Sequence, residues 1–415
     1  MAYTTTNWFH FADSQVDTGA AYFNKSLTNQ LVDQKYHKEV QIKLFFKANG
    51  MIGPDTYNVG GPRGVYQTAP GYPVIRKTEL SAAPGDTVKI GLRKNLSFAV
   101  STGKIGNVQL LDGESTFDFN TAKVKVEQWR NGVATWGGIN EQRNSYESFE
   151  QMEIDLCSDW AQQVEDTSIL YALHYGWGPH IFRAYGYQTA PVTPTAIGNA
   201  YYGNDFSSGR TVADLVGGSG DNLKGQTFEF IDQAMREKNI EPVIVNGNPY
   251  WVAIVSPAGF NKLQRDSEFR NSWTYARERG VSNPLFNNSE GIVYNNVIIF
   301  RYDKVRTILA GKNPAGLTTT GSSLPYTIVE ADYTGIGGGV TAAQLHQMYV
   351  MGANAVALAE GRFSMATRIR TENDYGNIIG RAVDNIFGTH RMDFVDEVGT
   401  GITNQSAILV VNTLT

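Results

Sequence analysis

The chain has 415 residues, with 35 Lys and Arg against 40 Asp and Glu, a formal net charge of −5, 43 glycines and one cysteine. That length accommodates two or three domains and a sizeable core, while the acidic balance argues against a protein that wraps nucleic acid by neutralising phosphates. The single thiol, Cys157, excludes an intramolecular disulfide and any multi-thiolate zinc site.

Glycine makes up roughly a tenth of the chain against an average of about 7%, and aromatic residues make up 12%; together they suggest a loop-rich mixed α and β protein. The opening MAYTTTNWFHF lacks the charged and apolar regions of a signal peptide, and no run of about 18 apolar residues occurs, so synthesis and retention in the cytoplasm are expected. Residues 1 to about 75 are polar and irregular, with the apolar island Ile42 to Phe46 and a Gly/Pro-rich stretch from Gly50 to Pro73. They predict an extended arm that gains order by lying on something else.

From Asp86 the pattern changes to period two: Val88, Ile90 and Leu92 alternate with Lys89, Gly91 and Arg93, and the alternation returns from Lys123 to Glu127. Two strands follow, and the Gly-rich, charged stretch Asn95 to Asn120 suits the outer part of a long antiparallel hairpin. Glu141 to Gly176 then runs without proline or internal glycine and predicts one long helix. Phe149, Met152, Leu156, Trp160, Val164, Tyr171 and His174 form its expected apolar stripe. Glu147, Glu150, Glu153, Asp155, Asp159 and Glu165 form its expected polar side, and Gly176, Gly178 and Pro179 end it. Cys157, mid-helix beside Leu156, reads as a packed thiol rather than a nucleophile.

Further along, Thr227 to Asn239 predicts a helix, Tyr250 to Val255 a buried strand ending at Ser256-Pro257, and Phe260 to Arg279 a charged helical stretch. Gly291 to Tyr302 predicts two short strands around an Asn-Asn turn, and Gln344 to Glu360 a buried helix. Ala407 to Asn412 predicts a closing buried strand, and residues 187–224 and 311–340 read as surface loops.

Motifs for chemistry are absent. GGSGDNLKG (Gly217 to Gly225) does not supply a phosphate-binding loop, and GIGGG (Gly335 to Gly339) lacks dinucleotide-binding spacing. The six histidines, His10, His37, His174, His180, His346 and His390, are scattered; His174 with His180 as metal ligands is weighed against ordinary core or surface histidines. No serine sits in a G-x-S-x-G elbow. The carboxylates of the long helix invite a glycosidase reading, but their even spread fits a solvated or subunit-facing side. The tyrosine clusters (Tyr171 and Tyr175 with Trp177; Tyr185 and Tyr187; Tyr201 and Tyr202) suit either a sugar platform or packing and interface anchoring. An arm, a projecting hairpin, an overlong helix and no catalytic constellation are features of a protein built to assemble.

Several stretches, in order, resemble the major capsid proteins of tailed double-stranded-DNA bacteriophages, and most closely the family of short-tailed phages that carry a virion-packaged RNA polymerase. They are Leu80 to Ile90, Leu111 to Glu114, Val126 to Arg143, Asp155 to Gly176, Asn283 to Tyr294, Met351 to Gly361 and Glu372 to Phe394 (ENDYGNIIGRAVDNIFGTHRMDF). The resemblance implies the α+β tailed-phage/herpesvirus major capsid fold. Its parts here are an N-terminal arm (1–76), an E-loop β-hairpin (77–138) and a peripheral domain with a long spine helix (139–180). An axial domain with surface insertions (181–360) and C-terminal strands returning to the peripheral domain (361–415) complete it.

The resemblance also implies self-assembly as hexamers and pentamers into an icosahedral head shell around packaged double-stranded DNA. Scaffolding, portal and decoration proteins are the further expected partners; sequence-specific DNA binding and a membrane are not expected. Lys104, Asp112 and Glu114, near the hairpin tip, are the candidate intersubunit contacts. No catalytic residue, cofactor or metal is assigned. The expected location is the virion capsid, assembled in the host cytoplasm. Two alternatives stand beside this reading: an encapsulin-like nanocompartment shell, marked by a cargo peptide encoded nearby, and a carbohydrate-active enzyme, which Glu150→Gln or Asp159→Asn would inactivate.

Overall fold

The computed structural model describes residues 44–53, 72–78, 87–93, 119–136, 149–178, 199–204, 221–238, 240–245, 247–278, 291–302, 344–370, 378–393 and 407–414, with residues 206, 210, 214, 215, 305 and 307–309. In the first half lie α1 (Phe45–Ala48), β1 (Val74–Lys77), β2 (Thr87–Arg93), β3 (Phe119–Lys125), β4 (Glu127–Trp136) and α2 (Phe149–Tyr175). Next come β5 (Ala200–Tyr202), α3 (Gly225–Glu237), β6 (Val243–Val245), β7 (Asn248–Val255), α4 (Pro257–Arg265) and α5 (Ser267–Glu278). The rest is strand: β8 (Gly291–Tyr294), β9 (Val297–Arg301), β10 (Thr307–Leu309), β11 (Gln344–Met351), β12 (Val356–Arg370), β13 (Ile378–Arg391) and β14 (Ile408–Leu414).

An eight-stranded sheet with the path β5-β14-β11-β7-β9-β8 forms one half, with β10 paired to β11 and β6 to β7. Both of its faces are covered, and the side chains divide at period two. On one face Val252, Ile254, Tyr349, Met351, Ile408 and Val410 pack with α1, α2 and the second sheet. On the other, Trp251, Ala253, Val255, Met348, Val350, Leu409 and Val411 pack under α3, α4 and α5. Strands buried on both faces read as continuous apolar runs, with no visible alternation.

That explains the main departure from the sequence reading. Gln344 to Glu360, expected as a buried helix, is instead the end-to-end pair β11 and β12, turned through residues 352–355. An apolar run of this kind fits a buried helix or a doubly covered strand equally well by periodicity. The turn is set by Asn354, which lies in the left-handed region at φ 59°.

The second sheet has the order β1-β12-β13-β4. α2 lies on one face; the two-stranded β2–β3 ribbon lies on the other, where Val88, Ile90, Ala122 and Val124 bury against Ala357, Ala359 and Met392. The ribbon confirms the period-two strands, paired from Thr87↔Lys125 to Arg93↔Phe119. β4 continues the chain into the four-stranded sheet.

Other expectations met mixed outcomes. The Asn295-Asn296 hairpin is as expected, both residues having positive φ, as a two-residue type I′ turn requires. The charged stretch from Phe260 breaks into α4 and α5 at Asp266, whose carboxylate accepts from Phe269 N at 3.4 Å and Gly225 N at 2.9 Å. Within the expected surface loop 187–224, β5 lies in the sheet and Leu215, Asp221 and Leu223 are buried. In the N-terminal region, the described stretch is seated in the body: Phe45 and Phe46 are buried, and Phe45 stacks on Tyr302 at 3.9 Å.

Candidate functional site: the spine helix, its strand and the exposed faces

α2 is 27 residues long, about 40 Å at ~1.5 Å per residue. Its length is matched to β13. The residues of β13 that share one face, 381, 383, 389 and 391, meet α2 in step: Arg381 pairs with Glu153, and Val383 packs with Ile154, Cys157 and Ala161. Thr389 Oγ1 donates to Ser168 O at 2.9 Å, and Arg391 Nη1 to Leu173 O at 2.9 Å. The strand interval 381–391 spans about 33 Å and the helix interval 153–173 about 30 Å at their ordinary rises, so helix and strand stay in register along their whole contact.

The far end is closed by a buried cation. Arg391 is 0% exposed. Its guanidinium donates to carbonyls of the last helical turn, where the helix dipole favours positive charge, and it chelates Asp393 with Nε at 2.8 Å and Nη2 at 2.6 Å. Backbone bonds Arg391 N to Gly176 O and Gly178 N to Thr389 O finish the joint.

This geometry corrects the expected faces of the helix. Glu153 and Glu165, placed on the polar side by the sequence reading, are 2% and 1% exposed, while Met152 and Leu156, placed in the apolar stripe, are 40% and 51% exposed. The buried face mixes small and polar groups, Cys157, Ser158, Ala161, Ser168 and Ala172, with Ile154, Ile169, Leu170 and Leu173, and turns Glu153 inward to meet Arg381. The side chains of Phe149 and Glu150, and all of residues 141–148, lie outside the described residues.

The β11–β12 turn is a second joint. Four successive backbone N–H groups donate to distant segments: Gly352 to Ala407 O, Ala353 to Glu241 O, Asn354 to Tyr72 O and Ala355 to Pro73 O, all at 2.8–2.9 Å. Gly352 has no room for a side chain, because a Cβ would lie 2.5 Å from Ile240 Cγ2 and 2.6 Å from Glu241 O.

The buried titratable groups are structural. Burial, then Glu153, pushes the Cys157 thiol up to about 11, so it is inert at neutral pH. Ser256 and His346 resemble a catalytic pair, with Oγ to Nδ1 at 2.8 Å. Yet Ser256 is 0% exposed and its Oγ caps α4 by accepting from Gly259 N. His174 is buried against Tyr349 rather than open to a metal. Among the described residues no group of three or more His, Cys, Asp or Glu is placed to hold a metal, and no helix is long and apolar enough to cross a membrane.

What remains open to a partner is on the surface. Met152 and Leu156 point away from the sheet on α2, between Gln151, Asp155, Asp159 and Gln163; Ile244 and Val245 are exposed on β6. On the outer face of the ribbon Lys89 stands directly opposite Lys123, both exposed, a like-charge pairing that is unfavourable without an anionic neighbour. Lys104, Asp112, Glu114 and His180 lie outside the described residues. Arg381, Arg391, Arg76 and Glu360 were missed by sequence reasoning. Their one signal was charge set at even steps inside otherwise apolar strand patterns.

Among the described residues, the buried side chains of Glu153, Asp166, Arg381 and Arg391 tie one element to another, and Met152, Leu156, Ile244 and Val245 are the large apolar side chains left exposed. The family model described as "Phage capsid protein" matches residues 20–414, and the chain belongs to that family. It is a capsid protein of the virion, forms the head shell, and is not an enzyme. Solved structures share the fold, which is that of tailed-phage major capsid proteins. The capsid of Ralstonia phage GP4 superposes with a TM-score of 0.63 at 19% identity, covering 89% of this chain and 90% of that one. The cyanophage Pam1 capsid gives 0.58 at 18%, covering 87% and 95%. The acid-stable capsid of Helicobacter pylori bacteriophage KHP30 gives 0.55 at 13%, covering 89% and 98%. No curated protein sequence matches the chain.

Proposed function

We propose that copies of this chain close as hexamers and pentamers into an icosahedral head shell around packaged double-stranded DNA. The family match, which spans residues 20–414, carries this reading. The net charge of −5 suits a wall that holds the genome without trapping it. Within this reading residues 1–76 are the arm, 77–138 the E-loop, 139–180 the peripheral domain with α2 as spine, 181–360 the axial domain and 361–415 the returning strands. Lys104, Asp112 and Glu114 are the proposed intersubunit contacts. Support comes from β2 and β3, paired antiparallel from Thr87↔Lys125 to Arg93↔Phe119 as the base strands of a hairpin require. Assembly takes place in the host cytoplasm with scaffolding, portal and decoration proteins as partners. The stretches Met351 to Gly361 and Glu372 to Phe394 favour the short-tailed phages with a packaged RNA polymerase as the source lineage.

The test is expression of the chain alone and with its neighbouring genes, followed by light scattering and negative-stain electron microscopy. Closed shells, sheets or free hexamers and pentamers support the proposal. A stable monomer in every combination overturns it.

A further inference from the structure

β4 closes one side of the four-stranded sheet. Among the described strands it is paired on one side alone, to β13, in an uninterrupted register from Glu127↔Phe387 to Trp136↔Ile378. At ten residues it is about twice the usual strand length. A long open edge invites a further strand, and proteins that must prevent this place proline, lysine or a bulge along it. EQWRNGVATW has none of the three, and Gln128, Arg130, Asn131, Gly132 and Ala134 are exposed.

Backbone directions fix which groups face outward. Val133 O points at β13, where a Cβ on Gly380 would lie 3.3 Å from it. The side to which a residue's N–H and C=O point alternates along a strand, so those of residues 128, 130, 132 and 134 face away from β13. Gly132 N accordingly donates to the side chain of its own neighbour, Asn131 Oδ1, at 2.9 Å. That amide oxygen takes the bond that a carbonyl of an adjoining strand would take.

We propose that β4 pairs antiparallel with β4 of a second copy of this chain about a two-fold axis at Asn131. Trp129 of each copy then stands opposite Val133 of the other, Arg130 opposite Gly132 and Gln128 opposite Ala134. Trp129 and Val133 are half-buried on the α2 side of the sheet, packed on its apolar clusters, and an aromatic opposite a β-branched residue is a favourable cross-strand pair. An axis at residue 130 sets arginine against arginine, which is unfavourable. An axis at residue 132 sets Val133 against Asn131. The contact closes after two copies, so in the proposed shell it lies between rings and not within one. It rests on assembly from copies of this chain, whatever the ring sizes.

Disulfide trapping in particles made by the full chain with its neighbouring genes tests the pairing, because Cys157, the one native thiol, is buried. Asn131→Cys, oxidised with copper phenanthroline, is expected to move about half of the chain or more to twice its mass on a non-reducing gel, since Cα atoms at such a position lie about 4.5 Å apart. Ala134→Cys alone gives no dimer, its counterpart being six residues away along the paired strand. Ala134→Pro removes an outward N–H that an open edge can lose without harm to the fold, and added to Asn131→Cys it lowers the dimer about fivefold or more. Particles without a dimer from Asn131→Cys, an equal dimer from Ala134→Cys, or a crosslink to a protein of another mass overturn the pairing and leave the shell standing. Absence of both particles and dimer overturns both. If Asn131→Cys does not assemble, Gln128→Cys combined with Ala134→Cys decides: a dimer in the double variant alone supports the pairing, and its absence overturns it.

Discussion

Two buried groups give the chain opposite responses to pH. Burial, then Lys262, lowers His346 to about 4 from an ordinary 6.5, so the unfolded chain binds a proton that the folded chain refuses. Stability therefore falls as pH drops from about 6.5 towards 4, by roughly 3 kcal/mol in all. His346→Asn, which keeps a group where Nδ1 meets Ser256, is expected to remove most of that acid loss in urea titrations followed by tryptophan fluorescence. Glu165 works in reverse: its proton stays on in the folded chain, so its contribution weakens as pH rises above the ordinary glutamate range. Glu153 and Arg381 are a different case, a buried pair in which removing one partner strands the other. Arg381→Ala is expected to cost about 3–5 kcal/mol. A double replacement by apolar residues of similar volume recovers most of it, and the same titration reads both. Cys157 is expected to resist iodoacetamide at pH 8 in the folded protein and to react fully once denatured.

Between elements, close approach of backbones is the sensitive quantity. At Gly388, on β13, a Cβ would lie 1.9 Å from Lys125 O on β3, whereas at Gly380 the nearest atom is Val133 O at 3.3 Å. Gly388→Ala must push the ribbon off the sheet and is expected to cost about 3 kcal/mol or more, with Gly380→Ala costing under about 1 kcal/mol. A thermal melt of both variants checks the contrast. Local patterns such as Val88, Ile90 and Leu92 or the Asn295-Asn296 turn were legible in the sequence, because one face or one dihedral decides them. β11 was not, because both faces of Tyr349-Val350-Met351 are buried and the alternation disappears. The rotation of α2 was hidden for a related reason: Glu165 and Glu153 look like surface residues until Arg76, Lys47 and Arg381 arrive from segments far away in sequence. The joint at Arg391 could be read only with both chains of residues in view, since its partners Leu173 and His174 are backbone carbonyls that carry no sequence signature.

For the whole molecule, assembly and folding should separate. Deleting residues 96–117, which spares the paired strands β2 and β3, is expected to leave the tryptophan environment and melting of the body unchanged while abolishing shells in electron micrographs. Leu156→Lys replaces an exposed apolar side chain, so it is expected to shift folding stability by less than about 0.5 kcal/mol and to reduce particle yield if that face is covered by a neighbour.

The four stitched amides of residues 352–355 have a consequence for curvature. A shell built from rings of five and of six asks one chain to sit at two slightly different angles to its neighbours. The amides of 352 and 353 are tied beside the first sheet and those of 354 and 355 beside the second, while Tyr349, Met351, Val356 and Leu358 share one apolar cluster, so the two sheets cannot bend about this turn without opening that cluster. The body therefore behaves as a single stiff tile. In the proposed shell of two ring sizes, angular strain is then expected to collect at seams between tiles rather than within them.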